Sequence, residues 1–151
     1  MKTSPGRRTS RNQAWHKTVL AFLVRHRWTI GILVTLAVFA FSSIPGSVTP
    51  RFRGLDKYVH AFEYFLAGLA YLNLTTVGFR YFTLKNIIWF VVILMLVASL
   101  DEWYQTFVPQ RTADWRDVVA DGVGGMIALA LGFILAFRFR LLPDKNRPTR
   151  D

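Results

Sequence analysis

Apolar residues fall into four blocks, at positions 28–44, 55–79, 82–107 and 115–137, separated by short polar connections. Blocks of this length read as helices crossing a bilayer, because a helix satisfies its own backbone hydrogen bonds where no water can. The pattern predicts an all-α membrane protein, a four-transmembrane-helix bundle. The first block carries no charge, starts at Trp28 on the interface and stops at Pro45-Gly46. Ahead of it, residues 13–24 are mildly amphipathic and predict a helix lying along the membrane surface. The competing reading of the first block is a cleaved signal peptide, with Val38-Phe39-Ala40 as its cleavage site. The long basic leader and the three later blocks speak against it.

The other three blocks each contain ionisable residues, and their position is informative. A helix needs about 20 residues to cross ~30 Å of hydrocarbon. The uncharged runs are shorter: 16 residues at 64–79, 15 at 86–100 and 16 at 122–137. Each falls short at the same end of the bundle. Crossing therefore draws His60 and Glu63, Asp101 and Glu102, and Asp117 and Asp121 to a similar depth.

Helical phase gathers these residues. Asp56, His60 and Glu63 follow i, i+4, i+7 spacing, and Glu102 and Gln105 are three apart. Asp114, Asp117 and Asp121 share a stripe with Gly124, Ala128 and Gly132. Small residues four apart let helices approach closely in lipid, so the acids of the fourth block should point inward. An isolated carboxylate at that depth costs about 2.5–3.5 kcal/mol, and Lys57, His60, Arg111 and Arg116 are the cations at its level. Three readings stand: salt bridges that only hold helices together, a fringe facing water, or a functional pocket. Asp56 and Asp114 read as solvated helix starts, and Trp103, Tyr104 and Trp115 as interfacial anchors.

Charge settles orientation and excludes one function class. The chain carries 19 Lys and Arg against 9 Asp and Glu, a net charge of +10. Fourteen of the basic residues lie before the first block, after the last, or at Arg80 and Lys85 between the second and third. That asymmetry predicts both termini in the cytoplasm. The organisation is then a basic segment at 1–27, a membrane domain at 28–137 and a basic tail at 138–151. The tails face anionic headgroups rather than nucleic acid, since no folded basic face accompanies them. No cysteine is present, which removes disulfides, thiolate metal sites and cysteine nucleophiles.

The polar residues in order are Asp56-Lys57-x-x-His60-x-x-x-Tyr64, then Asp101-Glu102-Trp103-x-Gln105-x-Phe107-x-Pro109-x-Arg111, then Asp117-x-x-x-Asp121-x-x-Gly124. This series resembles the VanZ-like family over residues 41–137. The family often has asparagine where this chain has Asp121. The resemblance implies a multi-pass protein of the bacterial inner membrane, whose founding member is linked to resistance to the glycopeptide teicoplanin. It implies no reaction.

Three functions follow as alternatives. In the first, an outward-facing pocket of Lys57, His60, Glu102, Gln105, Arg111, Asp117 and Asp121 binds a membrane lipid or a lipid-linked cell-wall precursor. The cations meet its phosphate and the acids orient them. In the second, the same residues form a membrane-embedded enzyme on lipid phosphates. His60 is then acid or base beside Glu63 or Glu102, or Glu102, Asp117 and Asp121 hold Mg²⁺ or Mn²⁺. No HExxH, GxSxG or P-loop signature supports that version. The third is a small transporter or proton relay, which an apolar inner half does not favour and which would require a homo-oligomer.

Overall fold

The computed structural model describes residues 18–47, 55–79 and 81–141. Part of the expected surface helix (13–17), Arg51, Arg53, Arg80 and the tail from 142 lie outside them. The described residues form five helices and no strand. They are α1 (Thr18–Arg25), α2 (Arg27–Ser42), α3 (Leu55–Thr75), α4 (Leu84–Gln105) and α5 (Trp115–Leu141).

The helices end where side chains intercept the backbone. Thr83 caps α4, its hydroxyl accepting from the Asn86 N–H at 3.2 Å. Asp114 does the same for α5, accepting from the Arg116 N–H at 3.0 Å. The second apolar block was expected to stay helical to 79, but α3 stops at Thr75. The Thr76 hydroxyl donates to the Leu72 carbonyl at 2.5 Å and accepts from the Phe79 N–H. The chain then turns through left-handed φ at Val77, Gly78 and Phe79. Conversely, α5 runs four residues past the expected end, to Leu141.

A bend of 69° separates α1 from α2. There α1 is pinned to the end of α3 and to the turn after it. The Asn73 amide donates to the Leu23 carbonyl at 3.1 Å. Gly78 lies so close to Val24 that a Cβ there would come within 2.5 Å of its side chain.

The tightest packing is α3 on α5, along the small-residue stripe of the fourth block. A Cβ on Gly124 would run into the Ala61 carbonyl, and one on Gly68 would come within 2.8 Å of the Ala128 Cβ. The interior of Tyr64, Ala67, Tyr71, Leu72, Phe90, Leu94, Ala98 and Ala128 is built around these helices, with Val38 from α2. Thr35 and Tyr71 hydroxyls tie α2 to α3 at 2.9 Å, and Ser43 and Tyr104 tie it to α4 at 2.9 Å.

The exterior is apolar. Ile32, Leu33 and Leu36 on α2, Ile88, Trp89 and Leu96 on α4, and Met126, Phe133 and Ile134 on α5 are all more than half exposed. A soluble monomer rarely shows so continuous a patch. The helices long and apolar enough to cross a bilayer are α4 and α5, with the bent α1–α2 pair as a third. Asp56, Lys57 and Glu63 interrupt the apolar character of α3.

Chain reversals place the start of α3, the end of α4 and the start of α5 at one end of the bundle. Every acid among the described residues belongs there, whereas Arg25, Arg27, Lys85 and Arg138 sit on elements at the other end. Two loops meet across the acidic end. Gly46 N–H donates to the Pro109 carbonyl at 3.2 Å, and a Cβ on Gly46 would collide with the Gln110 carbonyl. Gln110 holds a φ of 61°, so the loop has little room to move aside. Gly46→Ala is expected to cost about 1–3 kcal/mol through this overpacking. The measurement is the thermal unfolding midpoint in mild detergent; an unchanged midpoint would show that the loop yields.

Candidate functional site

Two linked polar groups occupy the acidic end. The first lies between α3 and α5. Lys57 Nζ donates to Asp117 Oδ1 at 2.6 Å and to Asp114 Oδ2 at 3.0 Å, with Asp56 at 3.6 Å. One turn further in, His60 Nδ1 lies 3.1 Å from Asp121 Oδ1, and its Nε2 is 3.9 Å from Asp117 Oδ2. The i, i+3 spacing of Lys57 and His60 matches the i, i+4 spacing of Asp117 and Asp121 across two helices that run parallel, so both pairs form at once.

The second group joins α4 to α2 and to the loop before α5. Gln105 donates to Asp101 Oδ2 at 3.2 Å and to the Ser42 hydroxyl at 3.3 Å. Arg111 reaches over it, donating from Nη1 to Gln105 Oε1 at 3.2 Å and from Nε to the Ile44 carbonyl at 3.2 Å. Glu102 bridges the groups by accepting from the Asp114 N–H. The Arg116 amide, then Lys57, hold the Asp114 carboxyl below the usual carboxylate range.

Burial divides the cluster into an inside and a rim. His60, Asp101, Glu102, Gln105, Asp117 and Asp121 are at most 7% exposed, while Lys57, Arg111 and Asp114 are partly open. Inside, Glu63 Oε1, Tyr64 Oη, Asp101 Oδ1, Glu102 Oε2 and Asp121 Oδ2 find no hydrogen-bond partner among the described residues. Such atoms are costly and call for a physical role. The cations are unequally committed. Lys57 is held by carboxylates and His60 faces two, but Arg111 meets only neutral oxygens and forms no ion pair among the described residues.

The structure thus brings the sequence-derived candidates to one end of the bundle. The candidate metal set of Glu102, Asp117 and Asp121 lies within this cluster. Among the described residues no three His, Asp or Glu side chains make a metal-holding group. Asp117 is held by Lys57, Asp121 by His60, and Glu102 by a backbone amide. A groove of about 490 Å³ does open on the molecule, but between α4 and α5 and with an apolar lining.

The sequence-derived site lacks Asp56, Asp114, Asp101, Tyr64 and Ser42. Asp101 and Tyr64 stood within the recognised motifs, and Asp114 was read as merely solvated. Ser42 gave no signal, because its place depends on how α2 is rotated.

An all-α bundle with an apolar exterior and one acidic, internally bonded end defines a small helical protein of the membrane type. The VanZ/LLP1 family model matches residues 4–137, and the chain belongs to that family. No curated protein matches the chain, and no solved structure does.

Proposed function

We propose that this VanZ-like protein spans the bacterial inner membrane four times, with both termini in the cytoplasm. Its acidic end then faces outward and binds the headgroup of a lipid or lipid-linked cell-wall precursor, with a bearing on teicoplanin susceptibility. The position of Arg25, Arg27, Lys85 and Arg138 at the end away from the acids supports that orientation.

One observation carries the binding reading: Arg111 is a partly open guanidinium at the rim whose partners here are neutral. Two of its five N–H donors are engaged, so a phosphate can take a bidentate pair from the remainder. Lys57, which the sequence nominated beside it, is already neutralised and serves to position Asp114 and Asp117. Gln105, itself held by Asp101 and Ser42, aims the guanidinium.

The test is Arg111→Ala in cells carrying the protein as the sole family copy. Teicoplanin susceptibility is expected to change to that of the null strain while the variant inserts and melts like the parent. Arg111→Lys, which keeps the charge but loses the planar fork, is expected to recover only part of the activity. Wild-type susceptibility in Arg111→Ala would reject the reading.

The His60–Asp121 pair favours an enzyme as the second reading, since an imidazole oriented by a carboxylate is suited to proton transfer. Turnover of lipid phosphates by the purified protein, lost in His60→Gln, is the result that would establish it.

A further inference from the structure

Outside the acidic cluster, the most informative feature is the groove between α4 and α5. Its volume of about 490 Å³ lies within the range of small-ligand sites, ~300–1,000 Å³. One wall is the α5 stripe of Val119, Val123 and Ile127, each more than half exposed; Leu94 and Met95 of α4 form the other. Gly122 makes the groove deep. A Cβ there would meet Met95 Sδ at an ordinary 3.9 Å and nothing closer, so the space comes from a missing side chain. At Gly124 and Gly125, by contrast, neighbouring atoms already fill the corresponding space.

Length and charge identify the occupant. From Val119 to Ala130 the groove follows about 16 Å of helix axis. That is roughly half of the ~30 Å hydrocarbon thickness, the depth of one leaflet. A helix from a second copy would run the full thickness instead. One turn beyond Val119 on the same stripe stands Arg116, exposed and without an ion pair among the described residues. Its guanidinium lies 5.8 Å from the Trp115 ring centroid. A one-leaflet apolar channel therefore ends beneath a cation anchored on an interfacial tryptophan.

We propose that the α4–α5 groove seats one acyl chain of an anionic phospholipid, with its phosphate on Arg116. The site rests on the membrane placement proposed above but not on headgroup binding by Arg111. The chain gains contacts along the stripe that a fluid neighbour lacks, and the guanidinium selects charge.

The test is native mass spectrometry of the purified full chain, exposed to phosphatidylglycerol or phosphatidylcholine with matched acyl chains. The parent is expected to retain phosphatidylglycerol about fivefold better, the worth of one basic residue at an anionic headgroup. Arg116→Gln should equalise the two lipids, and Arg116→Lys should keep the preference. Gly122→Leu should lower retention of both, with the thermal midpoint unchanged. Arg111→Ala should keep the preference, which separates this site from the acidic cluster. Equal retention by the parent, or undiminished retention by Gly122→Leu, would overturn the proposal. So would a dimer that Gly122→Leu dissociates, since the groove would then hold a second copy.

Discussion

Gly124→Leu is expected to prevent α3 from docking on α5, whereas Gly122→Leu, two positions away, leaves the bundle intact. The contrast follows from what surrounds each glycine. At Gly124 a Cβ would strike the Ala61 carbonyl and come within 2.8 Å of the Phe65 nitrogen, both backbone atoms of α3. Backbone cannot move aside as a side chain does, so the two helices must separate along their whole contact. Separation withdraws Asp117 and Asp121 from Lys57 and His60 and uncovers charges in the interior. The cost should exceed the usual ~1–3 kcal/mol of overpacking. Little folded protein is expected in mild detergent, and what survives should melt far below the parent. Gly124→Ala should fall between, because one methyl already meets the carbonyl. A Gly124→Leu variant that melts like the parent would show that α3 and α5 are not held by backbone proximity.

That close approach was legible in the sequence, since Gly124, Ala128 and Gly132 recur at helical spacing on the stripe that carries Asp117 and Asp121. The helices themselves were legible too, because long uncharged runs leave little else for the backbone to do. Their ends were not. Whether α3 stops at Thr75 depends on one threonine hydroxyl turning back to Leu72, a choice that periodicity does not encode. At the 69° bend before α2, α1 is likewise tied to Asn73, fifty residues away from its partner Leu23.

The candidate site divides in the same way. Stripes on α3 and α5 indicated which residues share a depth, because phase within one helix is fixed by spacing. Partner choice requires the rotation of each helix about its own axis. Asp101 and Glu102 are adjacent, so one would be expected to face away, yet both are buried because the end of α4 has neighbours on two sides. Lys57, suggested as a phosphate ligand by its charge, turns out to be surrounded by Asp56, Asp114 and Asp117. A sequence displays the inventory of charges but not which of them neutralise one another.

The pairing of His60 with Asp121 leads to the second large effect. His60→Leu is expected to destabilise the protein by about 3–5 kcal/mol, the range for removing one member of a buried pair. Asp121 is 1% exposed, and its Oδ2 already lacks a partner among the described residues. Removing His60 would leave both oxygens unanswered, beside Asp117 and with no other cation among the described residues within ion-pair distance of Asp121. The double variant His60→Leu/Asp121→Leu should recover most of the loss, because the pair then disappears together with its desolvation penalty. A double-mutant cycle on unfolding midpoints in detergent measures the coupling. Interhelical polar pairs in membrane proteins often couple by only about 0.6 kcal/mol, because an unfolded chain in lipid finds substitutes. Asp121 has few substitutes, since the charged groups that act on it besides His60 are carboxyls: Glu63, Asp101, Glu102 and Asp117. The coupling is therefore expected well above that average. Additive losses from the two single variants would instead mean that His60 and Asp121 are stabilised separately, and that the acidic end is a set of independent contacts.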